Sequence, residues 1–124
     1  MIIGIGTDIL KVERIEQALQ RSAELSHRIL TSNEQEMFNK STQPGRFLAK
    51  RFAAKEAVVK ALGTGIGNGV GWKHIEISKD PLGKPLITLF DGALSQANEL
   101  GVNNCFLSYS DEREFIVAMV VMES

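Results

Sequence analysis

Arg46-Phe47-Leu48-Ala49-Lys50-Arg51-Phe52-Ala53-Ala54-Lys55-Glu56-Ala57-Val58-Val59-Lys60-Ala61-Leu62, closed by Gly63, sets how the rest of the chain must be arranged. Wound as a helix, Leu48, Val59, Phe52 and Leu62 fall within about 80° of one another and form an apolar stripe. Ala53, Ala54, Ala57 and Ala61 cover much of the opposite side, so the pattern predicts a buried helix. Gln43-Pro44-Gly45 is a break before it, and Gly63 is its C-terminal stop. Lys55 falls inside the stripe, Glu56 lies on its edge, and Lys60 sits beside Glu56. Charges on a buried helix need partners. Two readings stay open: Lys55 snorkels while Glu56 pairs with Lys60 at i,i+4, or these charges point into a crevice.

Working outward, Met1 to Asp8 reads as a short buried strand. Val12, Ile15 and Leu19 recur at helical spacing between Lys11 and Glu24. Thr31 with Glu34 is a capping-box pattern before a short helix near Glu34–Asn39. After the long helix, Gly63-Thr64-Gly65-Ile66-Gly67-Asn68-Gly69-Val70-Gly71 is a loop. Trp72–Lys79 and Lys84–Phe90 alternate around Asp80-Pro81-Leu82-Gly83 and predict a hairpin. Asp91 is the expected cap of a helix ending at Gly101. Asn104–Ser110 and Glu114–Met122 predict a second hairpin around Asp111-Glu112-Arg113. With no repeats and no linker, residues 1–124 form one α+β domain, its helices packed on an antiparallel sheet.

The composition is that of an ordinary globule: of the 124 residues, 44% are apolar and 23% charged, which excludes a disordered tail or a disulfide scaffold. No apolar run approaches a transmembrane length, so no membrane association is expected. The opening MIIGIGTDIL lacks a basic n-region and a cleavage site, so no signal peptide is expected. The lone Cys105 cannot form an internal disulfide, and a cytoplasmic location follows as the default. Charge is unevenly spread. Residues 46–60 carry five cations against Glu56 alone, whereas residues 91–124 carry six acids and only Arg113. A basic segment within a neutral protein points to a small anionic ligand more than to a long nucleic acid.

Asp8 reads either as a strand-end or N-cap residue, or as one of two carboxylates. If it met Glu56 in space, the pair would suit magnesium, which is typically held by one or two carboxylates, waters and substrate phosphates. The glycine run is no Walker loop, because no GK[ST] opens a following helix. It reads as a helix stop with a flexible loop, or as a backbone contact to phosphate. His27 and His74 have no partner at metal-ligand spacing and read as surface residues; Cys105 alternates with Leu107 and reads as core.

Ile3-Gly4-Ile5-Gly6-Thr7-Asp8-Ile9, followed by Arg14-Ile15-Glu16, resembles the opening of the holo-acyl-carrier-protein synthases. Arg51-Phe52-Ala53-Ala54-Lys55-Glu56-Ala57 with Lys60-Ala61-Leu62-Gly63-Thr64-Gly65-Ile66-Gly67 resembles their second signature, and Gly83-Lys84-Pro85 also matches. The resemblance spans essentially the whole chain. It implies the fold of the short, trimeric branch of 4′-phosphopantetheinyl transferases, with active sites between subunits. It also implies their reaction in fatty acid biosynthesis: coenzyme A gives its phosphopantetheine arm to a serine of apo-acyl-carrier protein, and adenosine 3′,5′-bisphosphate leaves.

By the same resemblance, Asp8 and Glu56 match the family's magnesium ligands. Lys55 and Lys60 match its lysines, with Glu56, directly or through a water on the metal, a candidate base. Arg51, Gly63, Thr64, Gly65, Lys84 and Pro85 match positions around coenzyme A. Arg14 and Arg21 match basic residues that meet the carrier protein. One departure stands out. Many members carry an SxSH motif in the penultimate strand; here Ser108-Tyr109-Ser110-Asp111 has no histidine, and Ser110 is left to retain part of that role. Two other classes compete: a nucleotide- or RNA-binding module, disfavoured by 6% aromatic content, and a carrier-protein-binding partner without catalysis.

Overall fold

The computed structural model describes residues Met1–Ser124. Strand β1 (Ile2–Lys11) leads into α1 (Val12–Arg21), α2 (Leu25–Ile29), α3 (Ser32–Lys40) and the long α4 (Pro44–Leu62). A 3-10 turn at Trp72–His74 precedes β2 (Ile75–Lys79) and β3 (Pro85–Leu89); α5 (Asp91–Leu100), β4 (Asn104–Asp111) and β5 (Phe115–Glu123) complete the chain. No helix is long and apolar enough to cross a membrane.

The α+β architecture is as expected, but the antiparallel strands divide into two ladders. One has the order β1-β5-β4 and the other pairs β2 with β3. In the larger sheet, Asp8 stands opposite Ala118 and Tyr109 stands opposite Ala118 from the other side. α4 lies across this sheet; its Leu48, Ala53, Ala57, Val58 and Val59 are fully buried, as are Ile116, Ala118, Val120 and Met122 on β5.

Two glycines explain the close fit. Strand side chains alternate, so Gly4, Gly6 and Asp8 share the α4-facing side. A Cβ on Gly4 would stand 2.1 Å from the Ala61 carbonyl oxygen, and one on Gly6 would stand 1.9 Å from that of Ala57. Helix backbone therefore rests on strand backbone, a distance no side chain permits.

Several boundaries differ from expectation. α4 starts at Pro44, because proline at the first helical turn gives up an N–H that has no helical partner anyway. The first helix stops at Arg21 instead of running to Glu24, and a separate short α2 follows. Trp72–His74 winds as a 3-10 turn and the strand begins only at Ile75; His74 is half-buried, its Nδ1 accepting the Gly71 N–H at 3.0 Å. Asp91 is the first residue of α5 and Phe90 occupies the cap position, with no side-chain cap bond. The capping box at α3 forms as read: Thr31 Oγ1 accepts the Glu34 N–H at 3.3 Å, and Glu34 Oε1 accepts the Thr31 N–H at 2.9 Å.

Candidate active site

The glycine contacts bring Asp8 against the last two turns of α4. Lys60 Nζ donates to the Thr7 carbonyl at 2.9 Å and to Asp8 Oδ1 at 3.3 Å. Glu56 lies one turn before Lys60, half-buried, and its carboxyl is held above the ordinary glutamate value, chiefly by burial and next by the Asp8 charge, with Lys60 opposing. Two carboxylates and one ammonium thus share a small area. The i,i+4 pairing of Glu56 with Lys60 is not what forms, since Lys60 reaches across to β1. Nor is Asp8 a cap: Lys11 holds the cap position of α1.

The donor set fits a divalent cation. Lys60 offsets only one of the two negative charges, and the field of Asp8 on Glu56 is the surplus that a cation would neutralise. Two carboxylates are also what magnesium takes when phosphates and waters complete its shell.

The glycine run leaves α4 just beyond Lys60. Gly63 caps the helix in the left-handed region at φ 79°, where glycine carries no steric cost. The N–H of Gly63 donates to Lys60 O at 3.1 Å, and those of Thr64 and Gly65 donate to Val59 O at 3.2 and 3.3 Å. At these three residues the helix-stop reading holds, and their N–H groups are engaged. Gly63 and Gly65 are exposed and Thr64 is half-buried.

Other expected site residues stand elsewhere. Lys55 is fully buried and does not snorkel; its ammonium donates to Ile29 O at 2.6 Å, Glu34 Oε1 at 2.6 Å and Trp72 O at 3.1 Å. Burial lowers its pKa, against the pull of Glu34. Arg51 is also buried, its Nε 3.8 Å from Glu34 Oε2 and its guanidinium 4.5 Å from the Phe47 ring centroid. Lys84 and Pro85 lie at the β2–β3 turn, where the Lys84 N–H donates to Asp80 Oδ1 at 2.9 Å. Arg14 and Arg21 are exposed and rim a groove of about 400 Å³ floored by Leu10, Ile15, Leu25 and Phe52.

Three features were not foreseen. Glu34 is buried at the hub of the Lys55 network, although the capping-box pattern had marked only its link to Thr31. Asp111, standing where the SxSH motif has histidine, is paired with Arg46 and lies 3.4 Å from Lys50 Nζ. The basic and acidic segments of the sequence were the signal for that contact. Tyr109, two residues earlier, packs beneath the Lys50 ammonium, and its buried hydroxyl has no hydrogen-bond partner.

Comparison with known proteins decides the family. The profile of the 4′-phosphopantetheinyl transferase superfamily matches residues 4–120. This chain belongs to that superfamily. Among its transferase relatives, a holo-[acyl-carrier-protein] synthase of Vibrio cholerae is 56% identical, covering 99% of this chain and 98% of the relative. One from Shewanella halifaxensis is 48% identical over the whole of both chains. The crystal structure of the synthase from Neisseria meningitidis aligns over the whole of both chains with a TM-score of 0.94 at 42% identity. That of Helicobacter pylori, in complex with coenzyme A, aligns with a TM-score of 0.83 at 32% identity, covering 96% of this chain and 99% of that one.

Proposed function

We propose that this chain is a magnesium-dependent holo-acyl-carrier-protein synthase. It transfers the 4′-phosphopantetheine arm of coenzyme A to a serine of apo-acyl-carrier protein, releases adenosine 3′,5′-bisphosphate, and so supports fatty acid biosynthesis. The observation that carries this reading is the convergence of Asp8, Glu56 and Lys60 in a chain whose solved relative holds coenzyme A.

Asp8 and Glu56 would hold the metal, which would supply positive charge to offset the negative charge of the pyrophosphate while the serine oxygen attacks its phosphorus. Lys60, half-exposed beside Asp8, adds an ammonium for the same phosphates. Glu56 accepts the proton of the attacking serine hydroxyl, a poor nucleophile at neutral pH. Half-buried Thr64 and the exposed glycine loop flank the coenzyme, joined by Lys84 and Pro85. The arginine rim of the α1 groove meets an acidic carrier protein, and its apolar floor receives the carrier's apolar side chains.

The working unit is a homotrimer with sites between subunits. Support comes from the outer face of the larger sheet, where Ile5 and Ile9 on β1, Met119 on β5 and Phe106 on β4 form an exposed apolar surface on the side away from α4. Sedimentation equilibrium tests this: a trimer at micromolar concentration is expected, and an active monomer would overturn it. The compartment is the cytoplasm, which the unpaired Cys105 fits. The reaction is tested by chromatography of the nucleotide product. Adenosine 3′,5′-bisphosphate should appear only when coenzyme A, apo-carrier protein and magnesium are all present; its appearance without carrier protein would contradict transfer.

A further inference from the structure

Lys55 neighbours Glu56 in sequence yet points about 100° away around α4, into the protein instead of toward Asp8. An ammonium has three donors, and all three are used here, on Ile29 O, Glu34 Oε1 and Trp72 O. The side chain is fully buried, so no proton is left for a ligand and no path leads to one. Its partner is equally committed. Glu34 Oε1 also accepts the Thr31 N–H at 2.9 Å, and Oε2 accepts the Ile77 N–H at 2.8 Å. Lys55 and Glu34, with Arg51 also 3.8 Å from Glu34 Oε2, therefore join the end of α2, the cap of α3, the middle of β2 and the middle of α4.

The contact to Trp72 gives this pair a functional direction. The glycine loop leaves α4 at Gly63 and returns at the turn beginning with Trp72. At its exit it is held by N–H donation from residues 63–65 to Val59 and Lys60, and at its return by the Lys55 ammonium on Trp72 O. Both ends are thus tied to the helix that carries Glu56 and Lys60, while Gly65, Gly67 and Gly69 between them are exposed.

We propose that Lys55 is a positioning residue: paired with Glu34, it anchors the return of the glycine loop to α4 and so sets the coenzyme A site, without touching the reacting atoms. This rests on the transferase reading above. The test uses the full chain with coenzyme A, apo-carrier protein and magnesium, comparing Lys55→Met with Lys55→Gln. Methionine removes all three donors and leaves Glu34 facing Arg51, whereas glutamine keeps two amide donors without the charge. Lys55→Met should raise the KM for coenzyme A about tenfold and lower kcat less than that. Lys55→Gln should return kcat/KM to within a few-fold of the parent. If Lys55 acted on the reacting atoms, both variants would lose kcat roughly a hundredfold with an unchanged coenzyme A KM, and the proposal would fall.

Trp72 is the only tryptophan, so its fluorescence reports the loop's return independently of activity. A red-shifted emission is expected in folded Lys55→Met, and a parent-like spectrum would overturn the anchoring role. Should Lys55→Met fail to fold, Lys55→Gln carries the comparison; a Lys55→Gln variant that also fails to fold counts against the proposal. An inactive parent protein would instead sink the transferase reading, leaving the Trp72 measurement to judge Lys55.

Discussion

The Lys60 ammonium lies 3.3 Å from Asp8 Oδ1, bridging the first strand to the longest helix across 52 residues of sequence. That contact closes one side of the acid cluster and leaves Glu56 on the other. Replacing either acid should therefore remove the metal while leaving the fold intact. Asp8→Ala and Glu56→Ala should each lower the transfer rate by roughly 10²-fold or more, with partial recovery at high magnesium. Rates across a magnesium titration check this, with circular dichroism as the fold control; parent-like rates in both would remove the two acids from the site.

The cluster exists because helix backbone touches strand backbone at Gly6. Gly6→Ala forces a methyl to 1.9 Å from the Ala57 carbonyl oxygen, and the neighbour is backbone that cannot swing aside. Overpacking of this kind costs about 1–3 kcal/mol, and the rigid contact puts the expected loss at the upper end. Urea unfolding reads it directly. An unchanged midpoint would mean that α4 does not rest on β1 as described.

These two predictions also mark what a single sequence conveys. The buried character of α4, its stop at Gly63 and the α3 capping box are local patterns, and they were legible. Asp8 and Glu56 were marked as a possible pair, and the strand alternation that puts Gly4, Gly6 and Asp8 on one face supplies the reason they meet. The partners of Lys60, Lys55 and Asp111 were not legible. A helical wheel compares residues within one element, so it offered Glu56 to Lys60, while the structure offers Asp8 from another element. The division of the strands into two ladders escaped for the same reason, because pairing between distant segments leaves no local trace.

Tyr109 is the only tyrosine, and burial pushes its pKa up to about 12, with Arg51 opposing. A phenol whose folded value lies above the ordinary 10.0 contributes stability that is fully present below pH 10.0 and is lost as pH rises through about 12. Ultraviolet titration of tyrosinate should show a midpoint near 12 in the folded protein and near 10 in urea. Coincident midpoints would contradict the buried hydroxyl. Tyr109→Phe should change neutral-pH stability little, since that hydroxyl has no partner to lose.

Arg14 and Arg21 on α1 line the groove shared with Leu25 and Phe52. Exposed rim charges act mainly on association rate and salt dependence. Arg14→Glu combined with Arg21→Glu should raise the KM for carrier protein about tenfold and flatten its salt dependence, while the coenzyme A KM stays within about twofold. Steady-state kinetics at two ionic strengths decide it. A normal carrier-protein KM at low salt would show that this face is not the docking surface.

Group transfer at the Asp8–Glu56–Lys60 cluster changes the mass of the acceptor. Apo-acyl-carrier protein is incubated with this protein, coenzyme A and magnesium, then examined intact by mass spectrometry. A gain of one phosphopantetheine arm per carrier chain is expected with the parent protein, and a gain slowed roughly a hundredfold with Asp8→Ala or Glu56→Ala. An unchanged carrier mass with the folded parent protein, or an equally fast gain with both variants, would contradict it.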